Sequence, residues 1–169
     1  MIAKKGDIMG TKNNFEKSQI LTMVGGMISV VSVFLPWYSA SASAGALGLA
    51  SSLSVNGMGW VNGSGMLLGL VSGKADWSFQ GVGVLALGIA CIAVAVFLRE
   101  KLQSLAMFAC GLLIIGGGVV NLQSIGQFSG EFLGATLQSG VGYGLYVVLL
   151  GGSVAAAGGL LAWRDLTTK

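Results

Sequence analysis

The residues of this chain that could do chemistry are few and scattered. Cys91 and Cys110 are the only thiols, six acids and nine bases are the only charges, and histidine is absent. Without histidine there is no imidazole to ligate haem, to complete most zinc sites or to serve as a general base. The acids, Asp7, Glu16, Asp76, Glu100, Glu131 and Asp165, stand in tails and loops. No two of them are spaced as an acid and base pair, so they read as solvated surface charges. No phosphate-cradling G-x-x-x-x-G-K-[ST] run occurs, and the GVGV that begins at Gly81 opens a helix end. The predicted catalytic, cofactor-binding and metal-ligating sets are therefore empty, and the chain is expected not to be an enzyme. One N-x-S/T sequon, Asn62-Gly63-Ser64, makes Asn62 a candidate glycosylation site.

The scarcity of charge has a cause in the rest of the chain. Of 169 residues 54% are apolar and only 9% charged, with a mean hydropathy of +0.83. A soluble domain carries about a quarter charged residues, so the solvent implied is lipid. Four windows, Ile20–Pro36, Val82–Phe97, Leu105–Val120 and Val141–Trp163, contain no Asp, Glu, Lys or Arg. A helix needs about 20 residues to cross about 30 Å of hydrocarbon, and with their flanks all four windows qualify. The expectation is a single all-α integral membrane domain over residues 1–169, a four-transmembrane-helix bundle. Its predicted parts are a tail 1–18, a first span 19–37, an external loop 38–80, a second span 81–98, a short loop 99–104, a third span 105–121, an external segment 122–140, a fourth span 141–163 and a tail 164–169.

Orientation follows from the bases. Lys4, Lys5, Lys12, Lys17, Arg99, Lys101, Arg164 and Lys169 fall on one side of this layout and only Lys74 on the other. The positive-inside rule then places both termini and the short loop in the cytoplasm, with the chain multi-pass in the plasma membrane. Trp37, Tyr38, Trp77, Phe79, Tyr143 and Tyr146 cluster at the outer boundary, Phe97 and Trp163 at the inner one. The net charge of +3 is thus a topology signal, and no nucleic-acid partner is implied. SASASA at Ser39–Ala44 imitates an A-x-A cleavage site, but the apolar stretch before it exceeds the usual 7 to 15 residues of a signal peptide, so the first span is expected to be kept.

The first external loop, Trp37–Gln80, alternates Leu47, Leu49, Leu53 and Val55 and holds two turn signals, Asn56-Gly57 and Asn62-Gly63, so it is expected to be β-prone, with short hairpins. GMLLGLVSG, Gly65–Gly73, is too short to cross as a helix and reads as a strand or interfacial turn. The second external segment, Asn121–Gly140, spaces Leu122, Ile125, Phe128, Phe132, Leu133 and Leu137 as a helix does. With Gly126, Gly130 and Gly134 every fourth residue, it reads as an interfacial amphipathic helix or as a close small-xxx-small contact.

Within the spans, the small residues stand out. Gly116, Gly117 and Gly118 in the third span, Gly151, Ala155 and Gly159 in the fourth, and Ala86 and Ala90 in the second make smooth strips, the predicted helix-packing residues. Cys91 and Cys110 lie about 12 to 14 Å above the cytoplasmic boundary on adjacent antiparallel helices at 1.5 Å per residue. Lacking the C-x-x-C pairing of a redox enzyme, they read as small apolar side chains at a helix contact.

The layout of a short tail, LPWYS at Leu35–Ser39 ending the first span, a β-prone loop, a tight internal hairpin and a closing GVGYGLYVVLLGGSVAAAGGLLAW, Gly140–Trp163, resembles small four-helix membrane proteins of bacteria and archaea with LPW after helix one. In outline it is also similar to claudin-like tetraspans, whose first loop carries a W, G-L-W, C, C pattern. Trp37 and Gly59-Trp60 match parts of that pattern, and both loop cysteines are missing.

Absence of ionisable groups in the spans excludes a proton relay, a voltage sensor or an ion-coupled transporter. The expected function is a non-catalytic structural or accessory membrane subunit whose partners are the lipid bilayer and other membrane protein subunits, or copies of itself as a homo-oligomer. The alternative is a passive channel or small-molecule transporter acting as an oligomer, its polar path drawn from Ser29, Ser32, Asn121 and Ser153.

Overall fold

The computed structural model describes residues 7–44, 49–65, 78–98, 100–125, 128–132 and 135–168. The elements run α1 (Asp7–Ser32), β1 (Pro36–Ala44), β2 (Leu49–Asn56), β3 (Val61–Ser64), α2 (Ser78–Phe97), α3 (Glu100–Ser124), β4 (Phe128–Phe132), β5 (Ala135–Val141) and α4 (Tyr143–Thr167). Helix α4 packs on α1 and α3, and α2 closes the ring on their other side. Helix α1 leads directly into β1, α3 into β4, and β5 into α4, so the strands gather at one end of the bundle. The α2–α3 connection and both helical chain ends lie at the other. The core runs from Val33 and Trp37 through Val84, Cys91, Ile114 and Leu145 to Val148 and Ala155.

The all-α expectation is overturned by a five-stranded antiparallel sheet of order β3-β2-β1-β5-β4. The two segments between the spans, separate in sequence, are one structure, joined by β1 pairing with β5 from Tyr38↔Val141 to Ala44↔Ala135. An isolated hairpin is marginal, and each segment supplies the strand that completes the other. The SASASA run forms β1, the middle strand, between β2 and β5. Asn56-Gly57 opens the β2–β3 turn, where the Asn56 Oδ1 accepts from the backbone N–H groups of Met58 and Trp60 at 3.1 and 2.9 Å. Asn62-Gly63 lies inside β3 rather than at a turn. The rest of the GMLLGLVSG stretch after Gly65 lies outside the described residues, as do Lys74, Asp76 and Trp77.

The amphipathic helix expected over Asn121–Gly140 is also corrected. Helix α3 runs on to Ser124, and the next element is the β4–β5 hairpin, paired from Phe128↔Ser139 to Phe132↔Ala135. A spacing of four residues is one helical turn and also two strand repeats, so the Phe128 and Phe132 pattern fits both. Gly130 sits in β4, while Gly126 and Gly134 lie outside the described residues.

A third correction concerns the number of spans. Among the described residues three helices are long and apolar enough to cross a membrane: α2 over Gln80–Phe97, α3 over Leu102–Ser124 and α4 over Tyr143–Thr167. Helix α1 is not among them, because its apolar part begins at Ile20, ends at Ser32 and is interrupted by Thr22, Ser29 and Ser32. Those interruptions have a pattern: Ser18, Thr22, Ser29 and Ser32 are buried, whereas Ile20, Val24, Met27 and Val31 are exposed. Its amphipathicity is the reverse of a soluble helix, polar inward and apolar outward. The boundaries shift as well, since α3 begins at Glu100 and leaves only Leu98 and Arg99 between α2 and α3.

Candidate functional site

The bundle is held by a seam of small residues centred on α4. In α1, Ser18, Thr22, Gly25, Ser29 and Ser32 recur at intervals of four, three, four and three, one face of a helix. That face lies on Gly151, Ala155 and Gly158 so closely that a Cβ on Gly25 would overlap the Ala155 backbone nitrogen, and one on Gly151 would come within 2.8 Å of the Ser29 nitrogen. On the other side of α4, a Cβ on Gly159 would strike the backbone of Phe108, and one on Gly111 that of Ala156. With lipid outside as apolar as leucine, such backbone contact and the dispersion it gains are what hold helices together.

Hydroxyls can line this seam because each is satisfied locally. Thr22 Oγ1 donates to Ser18 O at 3.0 Å, Ser29 Oγ to Gly25 O at 2.9 Å and Ser32 Oγ to Ser29 O at 2.5 Å. Asn121 in α3 does the same, its Nδ2 donating to Gly117 O at 2.7 Å. Gln103 is the exception: its Nε2 donates to Ala95 O at 2.8 Å, but its buried Oε1 has no partner among the described residues.

Trp37 joins bundle to sheet. Pro36 cannot continue a helix, so the chain turns over Val33–Leu35 and begins β1. The indole is 1% exposed, and its Nε1 donates to Ser32 O at 3.0 Å. Glycines make room for it: a Cβ on Gly57 would fall 2.7 Å from the ring, and one on Gly144 2.8 Å. Two backbone bonds fasten the same corner, Gly57 N to Val33 O at 2.9 Å and Gly142 N to Trp37 O at 2.8 Å. Of the residues matched to the claudin-like pattern, Trp37 is thus a buried rivet, and Trp60 is 52% exposed.

One face of the sheet is a lattice of polar positions, uncharged except for Glu131 on edge strand β4, opposite Thr136. Register places Ser64, Ser52, Ser41, Gln138 and Ser129 in one row across the strands, and Asn62, Ser54, Ser39 and Gly140 in the next. An open groove of about 570 Å³ runs over it, with no charged residue in its walls. Nearer the tip, the Ser43 and Thr136 hydroxyls bond across β1 and β5 at 2.7 Å.

The residues singled out from sequence fall in different places. Gly151, Ala155 and Gly159 are buried in the α4 seam, and Gly118 is buried against Leu149 and Val148. Gly117 touches only Val84, and Gly116 faces outward, a Cβ there meeting nothing described within 4 Å. Ala86 and Ala90 are exposed. The residues of α2 that meet a neighbour include Gly88, against Val30 and Gly26, Ile92 and Cys91, both beside Gly26, and Val84 in the core. Cys91 and Cys110 are both free. Asn62 is exposed on edge strand β3. Sequence reading missed Gly25, Gly111 and Gly158, and the four-three spacing of small residues in α1 was the available signal.

Three helices able to span a bilayer, bundled with a fourth and joined at one end to a five-stranded antiparallel sheet, define a membrane protein of mixed architecture. Compared with models of known protein families and with characterised proteins, the chain matches none at a significant level.

Proposed function

We propose that the protein is a non-catalytic structural or accessory subunit of the plasma membrane that associates laterally with other membrane proteins or with copies of itself. Its sheet faces outward and its basic tails sit in the cytoplasm. The observation that carries the reading is the sheet: among the described residues no strand pairs with the outer side of β3 or β4. Two open edges with unpaired backbone groups flank a polar face, and such edges invite another chain. The gathering of all strands at one end supports the orientation, since Arg164 and the α2–α3 connection lie at the other.

The channel alternative draws less support. Ser29, Ser32 and Asn121 spend their protons on their own helices, and Ser153 does the same, donating to Leu149 O at 2.7 Å from the exposed side of α4.

Crosslinking in intact membranes, followed by purification, tests the association. A chain that stays a lone monomer and captures no partner overturns it. Orientation is tested by labelling Ser64→Cys and Thr168→Cys with an impermeant reagent on intact cells. Label at Ser64→Cys alone is expected, and label at Thr168→Cys alone inverts the topology. On the outer side Asn62 is open to glycosylation, which would appear as a mass increment absent from Asn62→Gln.

A further inference from the structure

At the end of the bundle away from the sheet, α3 and α4 part. Gly159 still lies on Phe108, but beyond it Leu105 and Phe108 of α3 and Leu160 and Trp163 of α4 line an open cleft of about 200 Å³ whose walls are wholly apolar. A cleft with no polar partner holds no ordered water. In a bilayer it lies at the depth where acyl chains begin, with Trp163 at the level of an interfacial aromatic.

The mouth of this cleft carries a charge. Arg164 follows Leu160 by four residues, so it stands on the same face of α4, one turn of about 5.4 Å nearer the helix end. Its side chain is 71% exposed, and the carboxylate of its own neighbour Asp165 lies 4.0 Å away. A pair so long and exposed holds the guanidinium weakly. Its planar fork of donors suits the oxygens of a phosphate.

We propose that this cleft binds one anionic phospholipid, an acyl chain lying between α3 and α4 and the phosphate resting on Arg164. Apolar walls select the chain, and the cation at the mouth selects an anionic headgroup over a zwitterionic one. This site does not depend on the lateral-association reading, since it needs only that the end of α4 lie at a membrane interface.

Native mass spectrometry of the full chain in detergent, with phosphatidylglycerol and phosphatidylcholine of identical acyl chains, tests it. Phosphatidylglycerol is expected to bind about fivefold tighter, the ratio that one basic residue near an anionic surface supplies. Arg164→Gln should erase the preference. Lys17→Gln should keep it, because Lys17 is an exposed cation of α1 next to Ser18, whose carbonyl faces Gly158 across the seam. Leu160→Trp, which fills the cleft from a half-exposed position, should weaken both lipids. Equal binding of the two lipids by the unmodified chain overturns the site, as does a Lys17→Gln variant that loses the preference as fully as Arg164→Gln, which marks diffuse surface charge. Unchanged lipid binding in Leu160→Trp with an altered oligomeric state also overturns it, because the cleft would then seat a second copy.

Discussion

Ser29 and Ser41 are the same residue in two settings, and the two ends of the molecule differ as they do. Ser29 is buried against the glycines of α4 and donates its proton to Gly25 O, four residues back in its own helix. Ser41 is exposed in a row between Ser52 and Gln138, on strands held by ladder bonds that need no side chain. In the bundle a small side chain serves to be almost absent, letting backbones touch. In the sheet it serves to be present, presenting donors and acceptors outward. One composition, rich in glycine, alanine and serine, thus makes a tightly closed end and an open one, and tolerance to substitution should divide along the same line.

The largest effect is expected where the two ends meet. Trp37→Ala should lower stability by about 3–5 kcal/mol, measured by unfolding in mixed micelles. Trp37→Phe keeps an aromatic ring but loses the bond to Ser32 O and part of the buried indole, and should cost less, about 1–3 kcal/mol. If Trp37→Ala unfolded no more easily than the parent, the rivet would be misplaced and the two ends would be independent.

Next comes the seam. Gly25→Val puts three carbons where a single Cβ already overlaps Ala155, and should cost about 1–3 kcal/mol or more as α1 is pushed from α4. Gly116→Ala provides the contrast within the same bundle. That site is open, so removing a helical glycine should raise stability by about 0.5–1 kcal/mol. Equal losses at the two positions would erase the distinction between seam and outer surface. The smallest effect belongs to the sheet face, where Ser41→Val should stay within about 0.5 kcal/mol of the parent. A loss above that would mean the hydroxyl rows are structural after all.

How much of this was legible in the sequence depended on how local the signal is. Helices α2, α3 and α4 are continuous apolar runs, and their spans could be read from hydropathy alone. The β-prone character of the first loop showed in the alternation around Leu53 and Val55, but β1 did not show in SASASA, and Asn62-Gly63 read as a turn although it lies inside β3. The β4–β5 hairpin did not show, because Phe128 and Phe132 satisfy a helical and a strand period alike. What decides between them is β1, almost a hundred residues earlier in the chain, pairing Ala40 with Ser139. The first span, 19–37, was counted because the window from Ile20 to Pro36 holds no charge, whereas the helix ends at Ser32 and its apolar part is too short. Small-residue strips carry the same ambiguity: spacing placed Gly116 on a strip with Gly117 and Gly118, yet only the neighbours of α3 determine which of the three is covered.

The reversed face of α1 sets an order of events during synthesis. Helix α1 is made first, and the surface that buries its hydroxyls, α4, is made last. Likewise β1 waits for β5. Contacts so distant in sequence close slowly, and the chain stays open along one side until residue 167 has emerged. It can wait because the bonds of Thr22, Ser29 and Ser32 run to carbonyls three or four residues back, so they form as soon as the helix does. The hydroxyl protons of Thr22, Ser29 and Ser32 are thus already engaged before α4 arrives, and an unfinished chain presents its neighbours with a face of small side chains.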